Sequence, residues 1–268
     1  MKRTVKFIMI LLVLAFIYAP ILILAVYSFT SATQIGAIRG FSLHNYVTLF
    51  TTEELLHMIA GTLLLAICSA ILSTILGTVG AIGSFYSGKG MASYIRTTNQ
   101  IPVINADVVT AFSICILLVI VLGVSKETYI PLVIGHVTLC APFVYLSVIP
   151  KLKQMDPSIY EAALDLGATP FTALYKIVIP QIYSGIVSGF ALAITLSLDD
   201  YFIATYTKPA TFDTISTYVV NATKGAQTKI KTALWALSTV IFLIVLLIVI
   251  ISNIRAMRSE QTERRGVA

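Results

Sequence analysis

The sequence carries very little charge. Only 11% of its 268 residues are Asp, Glu, Lys or Arg, whereas 57% are hydrophobic. Soluble globular domains are about 25% charged. This composition excludes an ordinary soluble domain and predicts a chain that spans a membrane. The formal net charge of +6 is therefore interpreted first as a sign of membrane orientation, and nucleic acid is not expected as a partner.

Cysteine and histidine are also scarce. The three cysteines, Cys68, Cys115 and Cys140, fall within apolar segments, and an odd number buried there argues against a disulfide framework. No cysteine–histidine cluster resembles a metal site. No G-x-x-x-x-G-K-[ST] sequence occurs, so ATP hydrolysis by a P-loop is excluded. We expect no catalytic residue, metal or cofactor in this chain.

What the sequence does contain is six apolar segments, each long enough to cross a hydrocarbon layer about 30 Å thick. We expect an all-α membrane protein with six transmembrane helices in a single domain over residues 1–268. The length of the first segment and its Pro20 favour an uncleaved membrane helix over a signal peptide. The segments are residues 7–29, 58–86, 101–124, 129–150, 181–206 and 232–254.

Lys and Arg are unevenly distributed between the connections. With the N-terminus inside, the cytoplasmic side has twice as many of them as the outside, which is the usual bias of membrane proteins. Both termini and residues 151–180 are then cytoplasmic in a multi-pass protein of the cell membrane. The cytoplasmic set is Lys2, Arg3, Lys6, Lys89, Arg96, Lys151, Lys153, Lys176, Arg255, Arg258, Arg264 and Arg265. The outer set is Arg39, Lys126, Lys208, Lys224, Lys229 and Lys231.

The connection between the fourth and fifth segments is long and contains several polar residues, whereas the segments on either side of it are strongly apolar. Its sequence D-P-S-x-x-E predicts a helix with Ser158 as N-cap and Glu161 as the capping-box partner. Gly167 is expected to end this helix in the left-handed conformation that glycine adopts cheaply. Residues 169–170, Thr-Pro, predict a second short helix, and Pro180 is expected to mark its end.

Six positions of this connection have the spacing of a known motif. They are Glu161, Ala162, Ala163, Gly167, Ile177 and Pro180. The connection resembles the EAA loop of ABC importer permeases, with Ile179 where that family usually has Leu. The resemblance implies a type I, MetI-like permease fold, in which this loop is a coupling helix seated on a cytoplasmic ATPase subunit. Small Ala side chains permit close approach, and Glu161 can accept charge-assisted hydrogen bonds from the partner.

The charged residues inside the predicted spans are all acidic: Asp107, Asp199 and Asp200. Charge within a membrane is costly and points to function. Tyr201 and Tyr206 follow the Asp pair, and aromatic faces together with carboxylates attract ammonium groups. The pattern favours a pathway for a cation. The alternatives are carboxyl groups that are protonated or hydrogen-bonded within the bundle, and tyrosines of an interfacial belt.

Three further stretches, residues 41–46, 136–150 and 197–202, resemble the permease subunits of spermidine/putrescine importers, and the smaller of the two subunits most. The similarity extends over most of the chain. One departure is the turn at residues 207–210, which is Thr-Lys-Pro-Ala here where the family often has a sequence like Thr-Gly-Pro-Gly.

The resemblance implies a polyamine importer with several subunits. The expected partners are a second homologous permease, two copies of an ABC ATPase that use ATP and magnesium, an extracytoplasmic polyamine-binding protein, and lipid. One alternative keeps this mechanism with ferric ion or an oxyanion as substrate, although acidic residues disfavour an anion path. The other is an ATP-independent secondary transporter or channel, which would not require an EAA loop and usually has more spans or inverted repeats.

Overall fold

The structure is a computed structural model, and it describes residues 2–32, 39–156, 158–224, 232–244 and 246–247. Over these residues the regular structure is helical, apart from one antiparallel bridge between Thr30 and Phe41. The prediction of an all-α protein is confirmed. The helices are Lys2–Ser28 (α1), His44–Thr51 (α2), Glu53–Tyr86 (α3), Lys89–Ile104 (α4), Asp107–Cys115 (α5), Ile130–Gln154 (α6), Ser158–Asp165 (α7), Pro170–Ala173 (α8), Ile179–Asp199 (α9), Phe202–Thr207 (α10), Ile215–Lys224 (α11) and Thr232–Ile244 (α12). Two π-helical segments, Ile116–Val121 and Leu174–Val178, continue α5 and α8.

Four helical stretches are long and apolar enough to cross a membrane. They are Val5–Ser28, Glu53–Tyr86, Ile130–Gln154 and Pro170–Asp199, and they confirm the first, second, fourth and fifth predicted segments with shifted ends. α12 covers the first half of the sixth segment, and the described residues stop short of its predicted end at residue 254. Six of the basic residues used for orientation lie outside the described residues: Lys229, Lys231, Arg255, Arg258, Arg264 and Arg265.

The third segment was predicted as one span over residues 101–124, and the structure shows a sharp bend within it, so that it is a fifth span only if the bent pair of helices counts as one. α4 begins earlier, and it meets the helix that starts with α5 at an angle of 106°. Asn105 and Ala106 between them are extended, and the Asn105 side chain donates to Thr110 Oγ1 at 3.0 Å. A run of apolar residues indicates burial in lipid but does not reveal a bend, so the pattern could not predict this break.

The fifth segment also differs from its prediction over residues 181–206. α9 ends at Asp199, Asp200 is extended, and α10 is a separate short helix. The Asp pair therefore lies at a break between two helices and not on the face of one continuous helix.

The chain divides into two compact units, residues 1–56 with 219–268, and residues 57–218. In the first unit, the Asn45 side chain donates to the carbonyl groups of Ser28 and Thr30 at 3.0 and 3.1 Å. The Tyr27 and Trp235 rings meet edge to face with centroids 5.7 Å apart. The single-domain interpretation stays a prediction.

In the second unit, α6 and α9 pack closely along their length. The side of α9 that faces α6 carries a small residue every four positions, and all four are buried: Gly185, Gly189, Ala193 and Ser197. Added Cβ atoms at Gly185 and Gly189 would lie within about 3 Å of α6 atoms. Small residues allow this close approach of helices in a membrane. The packing of α6 against α9 therefore fixes the position of both ends of α9.

Candidate functional site

The connection between α6 and α9, which we call the coupling segment (residues 156–180), contains the EAA-like residues. Glu161 and Ala162 are exposed on α7, whereas Ala163 is 5% exposed and packs inward. Gly167 has a φ of +87°, which confirms its predicted left-handed conformation. Its N–H donates to Leu164 O at 2.9 Å, so the end of α7 is closed tightly.

The start of α7 is held by a different residue than the one predicted. The Asp156 carboxylate accepts from the Ser158 N–H at 3.0 Å and from the Ser158 hydroxyl at 2.8 Å. These hydrogen bonds lower the pKa of Asp156. The capping-box prediction with Ser158 as N-cap was therefore wrong. Ser158 is already the first helical residue, and Asp156, two positions earlier, supplies the acceptor.

The second half of the coupling segment begins as predicted. Thr169 caps α8, with its hydroxyl accepting from the Thr172 N–H at 3.3 Å. Pro180 does not end a helix, since the chain continues through the π-helical segment into α9. Ile177 is half-buried in that π-helical segment and Pro180 is exposed.

Apolar side chains project from the coupling segment. Leu166 is 90% exposed and Phe171 78% exposed, and Phe171 stacks on Tyr175 with ring centroids 6.4 Å apart. Exposed apolar groups rimmed by polar residues are typical of a protein-interaction surface. The coupling segment thus has Glu161 exposed on α7, Leu166 exposed in the turn after it and Phe171 exposed on α8.

The second candidate region is the break between α9 and α10. Asp199 is exposed, whereas Asp200 is 9% exposed. The Asp200 carboxylate accepts from the N–H groups of Ile203 at 3.2 Å and Ala204 at 2.8 Å, so it caps α10. The two neighbouring carboxylates therefore have different environments: Asp200 holds the break together and Asp199 is accessible.

His136 lies on α6 beside this break, and as a lone membrane histidine it is predicted from the sequence to be packed or hydrogen-bonded rather than catalytic. Its ring is completely buried, with Nδ1 2.9 Å from Ser197 Oγ and Nε2 3.7 Å from Asp200 Oδ2. The contacts join residues more than 60 positions apart. No spacing in the sequence could have predicted them.

The other predicted pathway residues lie in the same neighbourhood. Asp107 is the exposed first residue of α5 and lies within electrostatic range of Asp200, as does Asp199. α5 packs against α10, where Tyr206 meets Phe112 edge to face at 5.8 Å. Tyr201 is half-buried at the break. The structure thus brings together three aspartates and two tyrosines that the sequence places on two different segments.

The turn after α10 contains Lys208, the departure noted in the sequence. Its Nζ lies 3.0 Å from Asp213 Oδ1 and donates to Phe212 O at 2.7 Å. Further on, the Ile215 N–H donates to Thr62 Oγ1 at 3.0 Å and thereby attaches the start of α11 to α3. The lysine is neutralised within its own turn and leaves the acidic character of the break intact.

The chain matches the family described as binding-protein-dependent transport system inner membrane component over residues 88–259. It belongs to this family. The matched residues include α4, α5, the coupling segment and the α9–α10 break. Every predicted site residue of this permease therefore lies within the part of the chain that defines the family.

Individual relatives are transport permeases as well. The putrescine transport system permease protein PotI of Escherichia coli K12 is 34% identical over 210 residues, which cover 75% of this permease and 73% of PotI. The spermidine/putrescine transport system permease protein PotC of the same strain is 30% identical over 244 residues, or 90% of each chain. A crystal structure of a bacterial ABC transporter involved in alginate import contains a chain with a TM-score of 0.71 at 21% identity, covering 92% of both chains. The last comparison shows the fold alone.

Proposed function

We propose that this chain is a permease subunit of an ATP-driven importer of polyamines, spermidine or putrescine, in the cell membrane. The observation that carries the proposal is the acidic break between α9 and α10. Asp199 is exposed there, Asp107 and Asp200 lie within electrostatic range of each other, and the neighbouring lysine is paired with Asp213. Carboxylates with aromatic neighbours attract ammonium groups. The polyamine transport named for PotI and PotC supports the same substrate class.

The connection between the coupling segment and the break supports an ATP-driven mechanism. Pro170–Asp199 is a 30-residue helical stretch, about 45 Å long at 1.5 Å per residue. One end begins in the coupling segment and the other ends at the acidic break. A partner that moves the coupling segment would therefore move the break through one stiff element. Glu161, with the exposed Leu166 and Phe171, forms the surface we assign to the ATPase.

The proposed complex contains a second, homologous permease and two copies of a cytoplasmic ATPase that uses ATP and magnesium. An extracytoplasmic binding protein delivers the polyamine. Both termini and the coupling segment face the cytoplasm, as the distribution of Lys and Arg predicts. This chain contributes membrane helices, the surface for one ATPase and part of the pathway. ATP hydrolysis is assigned to the partner.

The test is ATP-dependent uptake of labelled spermidine and putrescine by vesicles that carry this chain with its co-purifying partners. The Glu161→Lys variant should abolish uptake while the protein stays in the membrane, because a charge reversal at an interface commonly costs more than tenfold in affinity. Glu54→Lys is the matched control, since Glu54 is also exposed but lies at the start of α3. Normal uptake by Glu161→Lys would refute the coupling role. An ATPase that co-purifies without any polyamine uptake would refute the substrate.

A further inference from the structure

The buried histidine beside the break is not explained by a role in packing alone. His136 has no exposed surface, and both of its ring nitrogens face polar groups of the α9–α10 region, Ser197 and Asp200. Among the described residues, Nε2 has no hydrogen-bond partner, and its nearest acidic atom is Asp200 Oδ2 at 3.7 Å. Burying an imidazole in this way is costly unless its nitrogens interact with polar neighbours.

Three helices meet at this ring. Gly135, the residue before it on α6, is so close to α10 that an added Cβ would lie 2.5 Å from Ile203 Cγ2. Ser197 is on the last turn of α9, and Asp200 caps α10. The imidazole therefore connects α6 to the residues immediately before and after the end of α9.

We propose that His136 is a positioning residue of the substrate pathway, which fixes the α9–α10 break by holding Ser197 and Asp200 against α6. This rests on the proposed function, because the break is the acidic part of the proposed polyamine pathway. His136 itself is too deeply buried to contact a passing polyamine. It acts by setting where Asp200 lies and, through the adjacent backbone, where Asp199 presents its carboxylate.

Three substitutions separate the two contacts of the ring. An Asn amide has about the reach of Nδ1 and keeps a polar group at Ser197, whereas a Gln amide has about the reach of Nε2 and keeps one toward Asp200. Leu removes both. We expect His136→Leu to raise the spermidine concentration for half-maximal uptake by about tenfold, the size of effect found for residues within one polar network. His136→Gln should recover more of this loss than His136→Asn, because it keeps the group that faces Asp200.

A double-mutant cycle with Asp200→Asn supplies the readout that a merely structural role would not change. If His136 acts through Asp200, the half-saturating spermidine concentration of His136→Leu/Asp200→Asn should be no higher than that of Asp200→Asn alone. Cys140→Ala is the matched control in the same interface, since Cys140 is buried one turn along α6 and its thiol lies 3.4 Å from Ala193 O. It should leave half-saturation unchanged.

The outcomes are distinct for the two proposals. Uptake of neither polyamine by the wild-type complex would overturn the proposed function and this inference with it. Wild-type uptake that His136→Leu leaves unchanged would overturn the inference alone, and so would additive effects in the cycle. If His136→Leu does not assemble with its partners, the Asn and Gln variants decide. Wild-type half-saturation in both would overturn the positioning role.

Discussion

The coupling segment and the α9–α10 break lie at opposite ends of one helical stretch, and they are held in different ways. Three hydrogen bonds of the coupling segment join residues two or three positions apart: the Ser158 N–H donates to Asp156, the Thr172 N–H to Thr169 and the Gly167 N–H to Leu164. The break has local hydrogen bonds too, from the Ile203 and Ala204 N–H groups to Asp200, but it also has partners on other helices. Asp200 faces His136 of α6, and the start of α11 is attached to Thr62 of α3.

This difference indicates what each region is suited to do. A segment whose helices are capped by nearby residues keeps its shape when the rest of the molecule moves. This property suits a surface to which a partner subunit binds. A break held by several helices changes when those helices move relative to one another, which is useful for a gate. We infer that the coupling segment transmits force as a rigid unit and that the break responds to it.

The largest predicted effect distinguishes the two aspartates of the break. Asp200→Ala removes the acceptor for two N–H groups of α10 and should lower stability by about 2 kcal/mol, since replacing a capping side chain by Ala costs about 0.5–2 kcal/mol. Asp199→Ala removes an exposed carboxylate and should leave stability unchanged while raising the half-saturating spermidine concentration. The measurements are the apparent melting temperature of the purified complex and the concentration dependence of uptake.

Asp200→Asn is the control for this pair, because its amide oxygen still accepts a hydrogen bond. It should melt closer to the wild type than Asp200→Ala. Equal melting temperatures for Asp199→Ala and Asp200→Ala would contradict the difference between a capping and an accessible carboxylate. The break would then be held by something other than Asp200.

The same contrast explains what sequence analysis could predict. The turn at Gly167 and the start of α8 at Thr169 follow from residue preferences within a few positions, and both are confirmed. The bend after α4 and the end of α9 at Asp199 were missed, because apolar composition is the same on a straight and on a broken helix. A packed or hydrogen-bonded His136 agrees with its prediction, but its partners Ser197 and Asp200 could not be predicted, because only the packing of α6 on α9 brings them to the ring.

A smaller effect is predicted at the turn of the coupling segment. Gly167→Ala forces a side chain onto a φ of +87°, which costs about 1–2 kcal/mol. We expect a several-fold fall in ATP-driven uptake, because a strained turn lowers the population of the arrangement of α7 and α8 to which the partner binds. Gly83→Ala is the matched control: within the part of the chain that the structure describes, an added Cβ at this helical glycine would meet no atom within 4 Å. Equal uptake by both variants would show that the rigidity of the coupling segment is not needed.

The smallest effect concerns the start of α7 and depends on pH. Hydrogen bonds from Ser158 lower the pKa of the Asp156 carboxyl, so its folded pKa lies below the unfolded value. The group then stabilises the folded segment at pH values above the unfolded pKa, and this contribution is lost as the pH falls through the lower folded pKa. At neutral pH the Asp156→Ala variant should show faster hydrogen exchange than wild type at the Ser158 amide, whose N–H donates to Asp156. On acidification through the folded pKa, the difference in protection between the two proteins should shrink, because wild-type Asp156 becomes neutral. A difference that persists unchanged in acid would mean that Asp156 acts through its shape rather than its charge, and the start of the coupling segment would then owe nothing to electrostatics.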